Sequence, residues 1–125
     1  MRTAYLQAQL VALSLILGAF FLGWPQAIWH ADATHISAGI AAITVAASIS
    51  AGFARTREWL PWVVDNGVTL LLGLLGTVLG FMAAVQGMAS ADVAAKMGGV
   101  STSNATTVAG LVCHLYLLVL ARVVR

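Results

Sequence analysis

The chain has 125 residues, of which 61% are hydrophobic and only 8% charged, and its mean hydropathy is +0.96. A water-soluble domain of this size cannot bury so much apolar surface, so the composition predicts an integral membrane protein. The net charge of +2 without a basic cluster excludes nucleic acid as a partner. A single cysteine, Cys113, excludes an internal disulfide framework. No nucleophile triad, phosphate loop or paired carboxylate occurs, so we expect neither an enzyme nor a cofactor.

Four apolar runs predict an all-α fold with four transmembrane helices in one membrane domain, residues 1–125. The first run follows Arg2 and resembles a signal peptide, but it is longer than a typical signal sequence, so we interpret it as a span. Trp24 and Pro25 end it, and Trp59 and Trp62 precede the third run, as expected of aromatic residues at membrane interfaces. The predicted spans are residues 4–23, 36–53, 62–88 and 103–119.

The segment between the first two spans contains His30, Asp32 and His35. Two histidines and an aspartate are potential metal ligands, but here they do not share one helical face and no thiol joins them. We therefore expect interfacial loop residues and no metal site.

Basic residues predict the orientation of the four spans. Arg2, Arg122 and the arginines of the turn at residues 54–61 fall on one side of the membrane, whereas Lys96 falls on the other. The positive-inside rule then places both termini in the cytoplasm. Lys96 belongs to a predicted loop, residues 89–102, where it follows Asp92 by four residues, a spacing that suits one exposed helical turn.

The third span carries a stripe of small residues. Gly73, Gly76 and Gly80 recur at steps of three and four, which places them on one helical face. Helices that are already in lipid gain nothing from burying apolar surface against each other, so they associate through such stripes, where their backbones approach closely. We expect this face, together with Gly110 of the fourth span, to pack two helices together.

The fourth span has a polar face formed by Ser103, Thr107, Gly110 and His114. Hydroxyl groups in membrane helices often bond back to their own backbone and serve only packing. Small and hydroxyl-bearing faces in two consecutive helices favour a close-packed pair with a polar seam instead. Counting about 1.5 Å per residue from the cytoplasmic ends places Thr77 about 18 Å and Thr107 about 22 Å deep, and hence in nearly one layer.

Two segments of these spans resemble motifs of a known family. GLLGTV at residues 73–78 and TVAGL at residues 107–111 are similar to the channel-helix motifs of the MotA/TolQ/ExbB family of proton-driven stator proteins. The resemblance covers residues 68 to about 119. It implies a homo-oligomeric ring, typically a pentamer, in the bacterial inner membrane, around helices of a single-span partner whose aspartate carries the proton. It also implies that Thr77 and Thr107 line the path, with Ser103 near its outer mouth.

The chain departs from the family pattern in three respects. The position of the membrane glutamate falls on Thr102, the proline that follows the second motif is missing around Tyr116, and the large cytoplasmic portion has no counterpart. Asp65, near the start of the third span, is expected to cap that helix, with a proton-exit or partner-contact role as the alternative. His114 and Thr102 are further candidates for the pathway or for helix contacts.

The leading functional hypothesis is therefore a subunit of an oligomeric proton-conducting channel that surrounds a partner helix; the conducted ion, the partner and the machine it drives stay open. The alternative is a small oligomeric pore-forming or structural membrane protein, holin-like or a scaffold, without proton coupling. A third hypothesis is haem ligation by His114. It lacks a second histidine at similar depth, because His30 and His35 lie at the opposite interface.

Overall fold

The computed structural model describes residues 2–53, 55–89 and 93–124, which are mostly helical with no strand among them. In these ranges three helices are long and apolar enough to cross a membrane, within Arg2–Phe21, Val68–Gln86 and Lys96–Val124. The all-α membrane fold is thus confirmed. The second predicted span is a 15-residue helix that rises about 22 Å, less than a hydrocarbon layer of about 30 Å. The helices are α1 (Arg2–Phe21), α2 (Trp24–Ala31), α3 (Ile36–Ser50), α4 (Trp59–Asp65), α5 (Val68–Ala89) and α6 (Val93–Val124).

The centre of the fold is the antiparallel pair α5 and α6. Gly73 of α5 meets Gly110 of α6, and Gly80 meets Ser103 nearer the other end of the pair. The register between these contacts is constant, because seven residues forward in α5 correspond to seven residues back in α6. This pair is the scaffold against which the shorter helices pack.

Contacts at the two ends of α3 show its direction in the bundle. The turn before α3 touches Thr102 near the start of α6, where Ala33 N–H donates to the Thr102 hydroxyl. Ser48, near the end of α3, touches Tyr116 near the end of α6. Helix α3 therefore runs parallel to α6, between a Thr102 end and a Tyr116 end of the bundle. A cluster of buried apolar residues fills the Tyr116 end, with Leu60, Val63, Leu117 and Leu120 at its centre.

The connection between α1 and α3 is more helical than the sequence predicts. Gly23 adopts φ +75, a conformation that glycine reaches without strain, and this ends α1 at Phe21. Pro25 then occupies the first turn of α2, where its missing N–H leaves no helix bond unmade. The predicted interfacial loop is therefore largely a short helix, and this helix carries the exposed side chains of Trp24 and Trp29.

The predicted third span, residues 62–88, is interrupted. Gly67 has φ +59, and its N–H donates to the carbonyl of Val64, which ends α4 before α5 begins. Asp65 is the last residue of α4 and is exposed. The expectation that Asp65 caps the start of a helix was therefore wrong, because a glycine turn separates it from α5.

The prediction of a loop before the fourth span, residues 89–102, is also wrong for most of that range. Helix α6 begins at Val93, ten residues earlier than expected, and includes Lys96. Gly99 and Thr102 both find packing partners there, in Ala84 and in the turn before α3, and such tertiary contacts stabilise a helix beyond its local propensity. The suggested pairing of Asp92 with Lys96 lies outside the described residues.

Candidate functional site

The site is built on direct contact between the backbones of α5 and α6. A Cβ atom on Gly76 would lie 2.5 Å from Cβ of Thr106, and one on Gly80 would lie 2.5 Å from the backbone nitrogen of Ser103. A Cβ atom on Gly110 would lie 2.9 Å from Cα of Gly73. No side chain larger than hydrogen fits at these three glycines without moving the opposite helix.

This close approach brings two threonine hydroxyls together. The Oγ1 atoms of Thr77 and Thr107 lie 2.6 Å apart. The Thr77 hydroxyl is also 2.8 Å from the carbonyl of Gly73, and the Thr107 hydroxyl 2.7 Å from that of Ser103. Two hydroxyl protons cannot serve three contacts at once, so one threonine donates across the helix pair while the other donates to its own helix. Because either threonine can be the donor, two arrangements of the hydroxyl protons are compatible with these distances.

The threonine pair lies in a groove between the two helices that encloses about 230 Å³. Leucine side chains form its walls, and the two hydroxyls are its only side-chain polar groups. The pair therefore forms a small polar patch within an apolar groove. The lining residues are Leu70, Gly73, Leu74, Thr77, Thr107, Gly110 and Leu111.

Two other residues expected near the pathway lie outside this groove. The backbone of Ser103 packs against Gly80, and its carbonyl accepts hydrogen bonds from Thr106 and Thr107. Thr102 is buried, and its hydroxyl donates to the carbonyl of Ala31 at 3.3 Å while accepting from the turn before α3. Thr102 is thus a contact between α6 and the α2–α3 turn.

His114 and Asp65 lie towards the Tyr116 end of the bundle. Nδ1 of half-buried His114 is 3.5 Å from Oγ1 of Thr69, so the imidazole links α6 to the first turn of α5. Asp65 lies on the surface before that turn. Neither side chain lines the groove.

Asp32 is a structural centre that its local sequence does not indicate. This carboxylate is only 1% exposed. Oδ1 accepts from the N–H and hydroxyl of Thr34, and Oδ2 accepts from the N–H of Ser37 at 2.8 Å. Burial is the largest single influence on the pKa of Asp32 and raises it, but hydrogen bonds from Thr34 and Ser37 together hold the pKa below its ordinary value. Asp32 therefore fixes the start of α3 as an ionised group.

His35 joins this turn through its backbone, whose N–H donates to the Asp32 carbonyl at 3.3 Å, and not through its imidazole. The ring of His35 stacks on Trp29 with centroids 4.6 Å apart. Within residues 2–53, 55–89 and 93–124, no three histidine, cysteine or acidic side chains cluster as metal ligands would.

A second unforeseen polar cluster joins α1, α3 and α6. Nε2 of Gln9 donates to Oγ of Ser48 at 2.8 Å, Oγ of Ser48 lies 2.7 Å from the Tyr116 hydroxyl, and that hydroxyl donates to Oε1 of Gln9 at 3.2 Å. Tyr5 adds a hydrogen bond to the carbonyl of Ser48 at 2.9 Å. The three side chains form a closed cycle, which we call the Gln9–Ser48–Tyr116 cycle.

Comparison with known proteins identifies the family of the α5–α6 pair, which forms the groove. Residues 64–125, which contain all of α5 and α6, match the model of the MotA/TolQ/ExbB proton channel family. The chain belongs to this family. The match includes both threonines and every residue of the groove, so the family assignment made from the two motifs is confirmed. No curated protein and no solved structure gives a match to the chain.

Proposed function

We propose that the protein is a subunit of an oligomeric proton-conducting channel of the MotA/TolQ/ExbB type that surrounds the transmembrane helix of a partner. The observation that carries the proposal is the contact between Thr77 and Thr107 at 2.6 Å on the floor of the α5–α6 groove. The family match covers this contact and supports a proton channel as the general class.

The chemistry of the groove suggests how such a channel works. The Thr77 and Thr107 hydroxyls bond within the helix pair, but each oxygen keeps an acceptor lone pair that lipid cannot satisfy. The groove therefore favours an aqueous or protein-filled axis. Copies arranged as a ring, by family analogy a pentamer, would present one layer of Thr77 and Thr107 pairs to that axis. No acidic side chain lines the groove. The titrating carboxylate is therefore expected from the partner, as an aspartate in a single-span helix.

The topology that we propose has four crossing segments, with both termini in the cytoplasm of a bacterial cell and the protein in the inner membrane. Helix α3 supports it, because α3 connects the Thr102 end to the Tyr116 end of the bundle alongside α6. Between those two contacts α6 itself rises only about 21 Å. In this topology the short helix α3 forms one crossing segment together with the turns at its two ends.

One observation favours a second candidate function, an oligomeric pore or scaffold without proton coupling. Thr102, the position where the resemblance places a glutamate, has its hydroxyl directed to the α2–α3 turn and away from the groove. The presence or absence of a partner carboxylate decides between the channel and the pore or scaffold. Without that carboxylate the groove has no acidic group that can carry a proton.

Replacement of Thr77 and Thr107 by valine tests the proposal, because valine keeps the shape and removes the hydroxyl. We expect each single variant, Thr77→Val or Thr107→Val, to lower proton flux roughly tenfold in proteoliposomes that contain the channel with its co-purified partner, the effect of losing about 1.4 kcal/mol from one hydrogen bond to a charged group. Thr44→Val is the matched control, because the Thr44 hydroxyl bonds to its own helix at Ile40.

Unchanged flux in the double variant would remove the threonine pair from the mechanism. Native mass spectrometry of the extracted complex separates the two candidate functions. A pentamer with one or two copies of an aspartate-bearing single-span protein supports the channel. A homo-oligomer with only lipid at its axis supports the pore or scaffold.

A further inference from the structure

His114 lies one helical turn beyond the end of the groove. Gly110 and Leu111 line the groove, and His114 follows them in α6 by four and three residues, which places it on the same side of the helix. The register set by the glycine contacts puts His114 level with Thr69 of α5. The imidazole therefore adjoins the groove where the groove opens towards the Tyr116 end of the bundle.

The two nitrogens of this imidazole have different surroundings. Nδ1 is 3.5 Å from Oγ1 of fully buried Thr69, whereas Nε2 makes no hydrogen bond to any described residue. In the tautomer that carries its proton on Nδ1, the ring donates to the Thr69 hydroxyl and keeps a free lone pair on Nε2. A free lone pair is costly in lipid, and the ring is only half-buried, so we expect Nε2 to face water.

Among the described residues, the helices around this ring bring no second titratable group to the groove. Helices α5 and α3 contain no acidic, basic, cysteine or tyrosine residue. On α6 itself, Cys113 turns to Thr44 of α3, and Tyr116 belongs to its polar cycle. Asp65 of α4 and Arg122, two turns further along α6, are exposed. The imidazole is thus the titratable group on the groove side of the helix pair.

We propose that His114 carries protons between the groove and the Tyr116 end of the bundle, and that Thr69 positions its ring. The groove has room for several waters. One of them donates a proton to Nε2, and the resulting imidazolium returns that proton from Nε2 to water at the Tyr116 end. The proton on Nδ1 stays with the Thr69 hydroxyl throughout.

This inference rests on the proposed function and extends its path. The layer of Thr77 and Thr107 ends well before the Tyr116 end, because His114 lies two turns, about 10 Å, beyond Thr107 along α6. Leucine side chains flank the groove over that distance. A histidine is the side chain whose ordinary protonation change falls between about pH 5 and 8, so it suits transfer to water near neutral pH.

The pH dependence of proton flux tests the proposal, in proteoliposomes that contain the channel with its co-purified partner. Glutamine keeps a polar side chain beside Thr69 but does not titrate. At constant driving force we expect His114→Gln to lower flux roughly tenfold near pH 6.5. The loss should be smaller at about pH 4.5 and about pH 9, where an imidazole rarely releases or rarely takes up a proton.

His30→Gln is the matched control, because exposed His30 lies in α2 at the Thr102 end, and its flux should equal that of wild type at every pH. A loss in His114→Gln that is the same at every pH would indicate a helix contact and overturn the proposal. Unchanged flux in His114→Gln would overturn it as well and leave the channel standing. Absent flux in wild type would instead overturn the channel and the relay together.

Variants of Thr69 test the positioning role and keep the imidazole in place. Thr69→Val removes the hydroxyl beside Nδ1, and we expect flux to fall roughly fivefold with its pH dependence retained. Thr69→Ser should restore most of the flux. Thermal unfolding in detergent checks that each variant is folded. Wild-type flux in Thr69→Val would contradict the positioning role.

Thiol labelling tests contact with water independently of flux. In a Cys113→Ser background, the thiol of a His114→Cys variant should react with a charged, water-soluble methanethiosulfonate, because the reactive thiolate forms in contact with water. Leu13→Cys is the control, since exposed Leu13 of α1 is expected to face lipid and should not react. An unreactive thiol in the His114→Cys variant would overturn the proposal.

Discussion

Helix α1 and the α5–α6 pair are both apolar, yet the protein holds them in different ways. Along α1 the only buried residue is Ala12, and most of its large apolar side chains are exposed. Between α5 and α6 the backbones touch, and glycines such as Gly76 and Gly80 have no room for a Cβ atom. Apolar composition places a helix in the membrane, but it does not determine what the helix packs against.

Polar groups provide the attachment that α1 otherwise lacks. The Gln9–Ser48–Tyr116 cycle uses one side chain from each of three helices. In lipid no water competes for these hydrogen bonds, although an unfolded helix also finds other partners there, and the net gain per bond is about 0.6 kcal/mol on average. The comparison therefore predicts large losses from small changes in the α5–α6 contact and smaller losses from changes around α1.

The largest expected effect is that of one methyl group at Gly80. In Gly80→Ala the added carbon meets the backbone of Ser103 and Gly99, which cannot rotate away as a side chain can. We expect a loss of about 2–3 kcal/mol, at the upper end of overpacking penalties, measured by thermal unfolding in detergent.

Gly98→Ala is the matched control for this change. Gly98 also lies within a helix, but a Cβ atom there would have nothing within 4 Å. Alanine should stabilise α6 by up to about 1 kcal/mol through its helix propensity. Equal effects of the two substitutions would contradict the view that direct backbone contact holds this pair.

The sequence predicts the α5–α6 pair better than any other part of the chain. Glycine spacing is a local, periodic signal, and it identified the face of Gly73, Gly76 and Gly80; the two motifs identified the family, which the match confirms. Helix ends were predicted less well, because a single glycine with positive φ at position 67 divides the expected third span. The four-span count, the orientation and the lining of a channel by Thr77 and Thr107 stay predictions.

Contacts between distant residues left no comparable signal. Thr102 and Ala33 are 69 residues apart, and Gln9 and Tyr116 are 107 apart. Each residue is unremarkable in its local sequence, and only the packing of three helices brings the groups together. The sequence pattern accordingly placed Asp32 in an interfacial loop and left Thr102 as a candidate either for the pathway or for a helix contact.

The substitution Asp32→Ala tests whether the hydrogen bonds of Asp32, which lies outside the membrane spans, contribute more stability than the Gln9–Ser48–Tyr116 cycle that holds α1. In Asp32→Ala the N–H groups of Thr34 and Ser37 lose their acceptor, and we expect a loss of about 1–2 kcal/mol at pH 7, as for a lost helix cap. Because the folded-state pKa is lowered, the carboxylate stabilises the fold above its ordinary pKa of 3.8 and stops doing so as pH falls through the folded value.

Unfolding of wild type and Asp32→Ala, compared at pH 7 and near pH 3, checks this sign. The difference between them should narrow at the lower pH. Glu58→Ala is the control, because exposed Glu58 precedes α4 without a side-chain cap hydrogen bond, and its substitution should cost less than about 0.5 kcal/mol. A difference that widens in acid would show that the Asp32 carboxylate opposes folding.

The smallest effect is expected for Ser48→Ala, which opens the Gln9–Ser48–Tyr116 cycle. The loss should be about 1 kcal/mol, because Gln9 and Tyr116 keep their mutual bond and lose only the bonds to serine. Ser14→Ala removes a hydroxyl that bonds within α1 to the carbonyl of Leu10, and should change little. Hydrogen exchange gives the sharper measurement: if the cycle is the main attachment of α1, Ser48→Ala raises exchange along α1 and leaves α5 and α6 protected. Uniform loss of protection would mean that α1 and the α5–α6 pair unfold as one cooperative unit, in spite of their different packing.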